Sequence, residues 1–179
     1  MRKIKIAIML CGVVAGGLVA GAPTAANAAT VTRKFHVSSC VAAPTVPANS
    51  AVPVFNSVGQ VANTDAGKYL ELWCPLVSDP AIGAPGNAPS VKVHVFSNGC
   101  APGDSVGVST SVGFLPASGG PAVFGGFSAP GNCTPGVYEL SPGANLGSSS
   151  DYPFLRVFLR KFHSGSANVM FGYTLSVTQ

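Results

Sequence analysis

Charge is scarce in this chain: Asp, Glu, Lys and Arg make up 9% of its 179 residues, and only 3 histidines accompany them. Catalysis by acid, base or nucleophile needs titratable groups gathered at one place, so a chain this sparing offers few ways to build an active site. Zinc-binding spacing is missing too. Successive cysteines at positions 40, 74, 100 and 133 stand 34, 26 and 33 residues apart, with no Cys-x-x-Cys pair to start a site. Neither His-Glu-x-x-His nor a phosphate-cradling Gly-x-x-x-x-Gly-Lys occurs. Helical periodicity is also missing, because no stretch keeps a 3.6-residue period for three turns without a Gly or Pro interrupting it.

The basic balance of +4 belongs mostly to the first residues, MRKIKIAIMLCGVVAGGLVAGAPTAANAA. Arg2, Lys3 and Lys5 precede an apolar run that ends in Ala26-Asn27-Ala28, the plan of a secretory signal peptide with a small-x-small cleavage site. Interior glycines and the Ala-rich exit favour cleavage over a retained membrane anchor. Cys11 leaves with the leader on this reading. Residues 1–28 are therefore expected to be removed and residues 29–179 to form one domain. Taking the leader's three basic residues from 10 leaves 7 against 6 acidic ones, a formal charge of +1. That excludes a basic stripe for nucleic acid. No second apolar segment follows that is long enough to span a membrane.

What the mature part does contain is four cysteines, Cys40, Cys74, Cys100 and Cys133, an even number in a chain addressed to an oxidising compartment. Two disulfides are expected. Of the three pairings that four cysteines allow, sequential closure is the simplest for neighbouring strands: Cys40 with Cys74 and Cys100 with Cys133. Between them run short Val-, Phe-, Leu- and Tyr-rich segments, separated by turn clusters such as LPASGGP and SAPGNCTPG. The segments around Ser78–Ser90 and Pro142–Ser150 read as longer loops.

Alternation of period two predicts strands over residues 31–37, 52–61, 68–76, 91–96, 106–114, 121–127, 136–140, 154–162 and 169–177. In the last of these, Val169, Phe171, Tyr173, Leu175 and Val177 share one face, and Met170, Gly172, Thr174 and Ser176 the other. The preceding strand sets Leu155, Val157 and Leu159 against Phe154, Arg156, Phe158, Arg160 and Phe162, with Ser164-Gly165-Ser166-Ala167 suited to a hairpin turn between the two. The fold expected is all-β, an antiparallel β-sandwich of immunoglobulin-like or jelly-roll-like type with about nine short strands and two disulfides.

One stretch, KYLELWCPL at residues 68–76, carries the chain's single tryptophan. Alternation splits it into Leu70, Leu72 and Cys74 on a core face and Tyr69, Glu71 and Trp73 on the other. Aromatic rings on the outer face of a secreted sandwich suit stacking on the apolar face of a sugar, so Tyr69, Glu71 and Trp73 are the candidate binding residues. Glu71 and Glu139 are also the two carboxylates that a glycosidase would need to bring together, although each reads more simply as an exposed strand residue. His36 and His94 read as packing or surface residues. Neither a metal nor a cofactor is expected.

Ser39-Cys40-Val41, then Trp73-Cys74-Pro75-Leu76 closing a strand, VKVHVFSNGC, YPFLRVF and the final NVMFGYTLSV together form a spacing pattern over most of the mature chain. In this the chain resembles the small exported four-cysteine β-proteins of unassigned function found in myxobacteria and related bacteria. The resemblance implies the fold and export and brings no activity with it. In that group the fourth cysteine tends to stand in the penultimate strand, near Val157 here, where this sequence has Cys133 instead.

The function expected from the residues is that of a secreted, non-enzymatic binding protein for a glycan or cell-envelope partner. A structural or interaction module of an extracellular assembly is the alternative, and a hydrolase a third.

Overall fold

A computed structural model describes residues 30–43, 51–76, 89–98, 107–130, 134–143, 146–148, 150–161 and 167–178. The expected leader, Cys100, Cys133, Phe162, Ser164 to Ser166 and most of the Ser78–Ser90 loop lie outside them. Eleven strands are present: β1 Thr30–His36, β2 Val41–Ala42, β3 Val54–Phe55, β4 Val61–Ala62, β5 Tyr69–Pro75, β6 Ser90–Ser97, β7 Val108–Leu115, β8 Val123–Ser128, β9 Gly136–Leu140, β10 Tyr152–Arg160 and β11 Asn168–Thr178. A single 3-10 turn, Val37–Ser39, is the helical element among the described residues. His36 caps it, its Nδ1 accepting from the Ser38 backbone N–H at 3.2 Å.

Two more strands form than the alternation predicted. Residues 52–61 are two short strands, because the Asn56 side chain accepts from the backbone N–H groups of Val58 and Gln60 and folds the segment into a turn. Strand β2, only two residues long, gave no alternation to detect.

The strands make two antiparallel sheets packed as a sandwich. One runs β3-β4-β11-β6-β9, with β1 joining β11 beyond β4; the other runs β2-β5-β10-β7-β8. Inward-facing residues of both sheets supply the core: Leu70, Leu72, Cys74, Val108, Val112, Leu155, Val157 and Leu159 from the second, and Val91, Val93, Val95, Met170, Tyr173, Leu175 and Val177 from the first. Apolar side chains on alternate positions are removed from water together, which is why period two in the sequence became two layers.

The expected hairpin between β10 and β11 does not form. The two strands lie in different sheets. The inward face of β11 also changes partway along. Met170 pairs with Val95 but Gly172 with His94, so Phe171 is an extra residue on the bulged strand. Met170, expected outside, is therefore fully buried, while Val169 and Phe171 are half-buried.

Polar links close the interior. The Tyr173 hydroxyl crosses from the first sheet to donate to the Pro75 carbonyl of β5 at 2.6 Å, and the Phe35 ring stacks on it at 4.8 Å. Asn63 Nδ2 donates to the carbonyls of Lys68 and Leu159 at 2.9 Å.

Cys40 and Cys74 form a disulfide, as sequential closure predicted. Since Val41 pairs with Trp73, the two cysteines stand opposite each other, fastening the β2 edge of the second sheet to β5.

Candidate functional site

Strand β5 turns Tyr69, Glu71 and Trp73 to the outer face of the second sheet, as the alternation predicted. Neighbouring β10 adds Phe154, Arg156 and Phe158: in the register, Arg156 stands opposite Trp73 and Phe158 opposite Glu71. Across β10, Phe154, Arg156 and Phe158 face Gly113, Ser111 and Ser109 of β7, a row with small side chains. That row leaves room for rings to lean over it. At Gly113 a Cβ would stand 3.1 Å from Phe124 Cδ1 and 2.4 Å from the Val123 carbonyl.

Strand β8 supplies two rings that alternation missed. Ser111 pairs with Phe127 and Gly113 with Phe124, so three residues of β8 span the distance of two on β7. The extra residue falls in Gly125-Gly126. It places two phenyl groups, three positions apart, on one face, where an unbroken strand would put them on opposite faces. A Gly-Gly pair inside an apolar run is the signal that could have revealed it.

These side chains form a closed circuit. Tyr69 packs against Phe158 at 5.8 Å between ring centroids, and Trp73 stacks on Phe154 at 4.6 Å. Phe124 meets Phe154 edge-on at 5.7 Å. The Arg156 guanidinium is flanked by Phe124 and Phe158, with Cζ 4.6 and 4.2 Å from their centroids, a cation–π arrangement. Glu71 closes the ring, its Oε1 accepting from Trp73 Nε1 at 2.8 Å and from Arg156 Nε at 2.7 Å.

Glu71 is thus a buried structural acceptor, 8% exposed, and not the exposed strand residue expected. Packing of the two neighbouring rings and Arg156 around it displaces water, and the ion pair compensates the charge. Tyr69 and Trp73 are half-buried. The most exposed ring of the group is Phe127, at 66%, with Phe124 at 40% and Val41, opposite Trp73, at 62%.

Glu139 stands far from this circuit. It is opposite His94 on the outer face of the first sheet, paired with Lys92 at 2.7 Å. The Lys92 hydrogen bond holds its carboxyl below the usual carboxylate range. Packed sheets lie about 10 Å apart, and these two carboxylates point away from each other, so Glu71 and Glu139 do not make the facing pair of a glycosidase.

His94 Nε2 lies 3.2 Å from Thr174 Oγ1 on the same outer face. Among the described residues no group of three His, Cys, Asp or Glu could hold a metal. The stretch Gly103-Asp104-Ser105-Val106-Gly107 spells the Gly-x-Ser-x-Gly pattern of serine hydrolases. A nucleophile elbow places that pattern between a strand and a helix, whereas here it leads into strand β7. Its residues 103–106 lie outside the described ones.

No protein-family model matches the chain, and no curated protein matches it. Solved structures similar to it include a family two carbohydrate esterase from Cellvibrio japonicus, at 7% identity and TM-score 0.38, over 84% of this chain and 34% of the esterase. Another is the CBM36-1 domain of a multidomain xylanase from the hindgut metagenome of Trinervitermes trinervoides, at 10% identity and TM-score 0.41, over 81% of this chain and 96% of that domain. The chain spans about a third of the esterase's length. At these scores neither likeness assigns an activity or a ligand to this chain.

Proposed function

We propose that the protein is exported and acts without catalysis, binding a glycan or other cell-envelope component through the outer face of its second sheet. The observation that carries this reading is an aromatic face: Phe124 and Phe127 exposed, Tyr69, Trp73 and Phe158 half-buried, and Phe154 buried among them, on an outer face that in an antiparallel sandwich is ordinarily polar. Apolar area kept at a surface marks a site of interaction. Sugars bring apolar C–H faces suited to such rings, and hydroxyls suited to the polar groups among them. The leader MRKIKIAIML and the Cys40–Cys74 disulfide support export to an oxidising compartment.

The test is a glycan array and pull-down on insoluble polysaccharides with the mature chain, Trp73→Ala and Phe127→Ala. Binding that both substitutions weaken supports the reading. Binding that neither changes, or none at all, counts against it.

The alternative, an interaction module, draws on the same face. Strand β7, with its row of Gly and Ser, is flanked by β10 and β8 and has Phe124 against Gly113. Size-exclusion chromatography at rising concentration distinguishes the two, since self-association abolished by Phe127→Ser would favour the module.

A further inference from the structure

Arg156 does more than fill a gap between rings. Its Nε is committed to Glu71 at 2.7 Å, and the rings of Phe124 and Phe158 flank the guanidinium. The two Nη groups donate no hydrogen bond among the described residues, and they are not shut away from water. The single buried side-chain polar atom left without a partner there is Asn168 Oδ1, and Arg156 keeps 27% of its side-chain surface open. The guanidinium is therefore anchored through Nε, with its terminal Nη edge, carrying two parallel N–H donors, available.

A fork already fixed by stacking and by Glu71 loses little freedom when it binds a planar or tetrahedral oxyanion. A neutral sugar would use the rings and leave those donors to water.

We infer that this face selects an acidic glycan, one carrying a carboxylate or sulfate beside an apolar sugar face, with the open edge of Arg156 reading the oxyanion and Trp73 and Phe127 holding the sugar. The inference rests on the glycan-binding reading above and names its ligand class.

The experiment compares matched polysaccharides that differ only in charge: polygalacturonate with its full methyl ester, alginate with its carboxyl-reduced form, and dextran sulfate with dextran. Isothermal titration or biolayer interferometry on the wild-type chain is expected to give at least one acidic member bound about tenfold or more tighter than its neutral counterpart, with the preference falling as salt is raised. The carboxylate and sulfate arms separate the two sources of the oxyanion. Arg156→Lys, which keeps the charge and loses the fork, should abolish the preference. Trp73→Ala should weaken both members of a pair alike, and Lys92→Gln on the opposite face should change neither.

Equal binding of acidic and neutral members overturns the inference and leaves glycan binding standing. A preference untouched by Arg156→Lys, or lost with Lys92→Gln, overturns it as well. Failure to bind any of the six polysaccharides overturns both. The wild-type comparison needs no substitution, so it decides the matter even if Arg156→Lys fails to fold.

Discussion

The two outer faces of the sandwich are made from strands of the same kind and end up chemically different. The first sheet carries single exposed apolar side chains such as Val137 and Phe55 and, beside them, polar pairs: Thr32 with Ser176 at 3.0 Å, Lys92 with Glu139 at 2.7 Å and His94 with Thr174 at 3.2 Å. On the second, five aromatic rings pack around the Glu71–Arg156 pair, in which Glu71 is buried and Arg156 partly open. The first is what an antiparallel sheet facing solvent ordinarily presents, and any of its pairs can exchange for water at little cost. The second holds apolar area at the surface and a buried carboxylate among the rings, two things that stability does not require. The difference locates the surface whose composition needs a functional explanation.

The contrast can be broken most severely from below. The Cys40–Cys74 bridge spans 34 residues and braces the edge of the aromatic sheet. Replacing both cysteines with Ala should lower stability by about 3–4 kcal/mol in guanidinium unfolding.

Next in size is Glu71→Gln, which weakens the acceptor for Trp73 and leaves Arg156 without its counter-charge. A loss of about 1–3 kcal/mol is expected. The matched change on the polar face, Glu139→Gln, should leave the unfolding midpoint where it was. Equal effects from the two would remove the distinction between the faces.

Tyr173 tests the link between the sheets. Burial pushes its phenol above the usual value of 10.0, with the Ser39 hydroxyl opposing in part. Because the folded value is the higher one, the contribution is whole below about pH 10 and declines as pH rises through the folded value. Tyr173→Phe should cost about 1 kcal/mol at neutral pH, by stranding the Pro75 carbonyl, and should flatten the alkaline limb of the stability–pH curve.

The smallest stability effect belongs to the residue with the largest expected effect on binding. Phe127→Ser should change stability by about 0.5 kcal/mol or less while reducing glycan retention, read by pull-down and chemical denaturation on the same preparation.

Much of this arrangement was legible in the sequence because burial acts on alternate residues. Leu70, Leu72 and Cys74 face inward and Tyr69, Glu71 and Trp73 outward, as the pleat requires, and Phe154, Arg156 and Phe158 separate in the same way from Leu155, Val157 and Leu159. Period two does not contain partner choice, so the sheet change between β10 and β11 was hidden. Nor does it contain the fate of Glu71, which depended on Arg156 arriving from a strand 85 positions away. Both bulges, at Phe171 and at Gly125-Gly126, broke the reading at the point where the chain adds a residue without a partner.

The second of these bulges has a consequence for how such a surface changes over generations. A face defined by pleat is normally altered one substitution at a time. Here the loss of a single codon, for Gly125 or Gly126, would restore strict alternation in β8 and turn either Phe124 or Phe127 away from the face. The number of rings on the outer face would drop with no aromatic residue mutated. Length variation in one edge strand is thus a route by which the surface can change on an unchanged core.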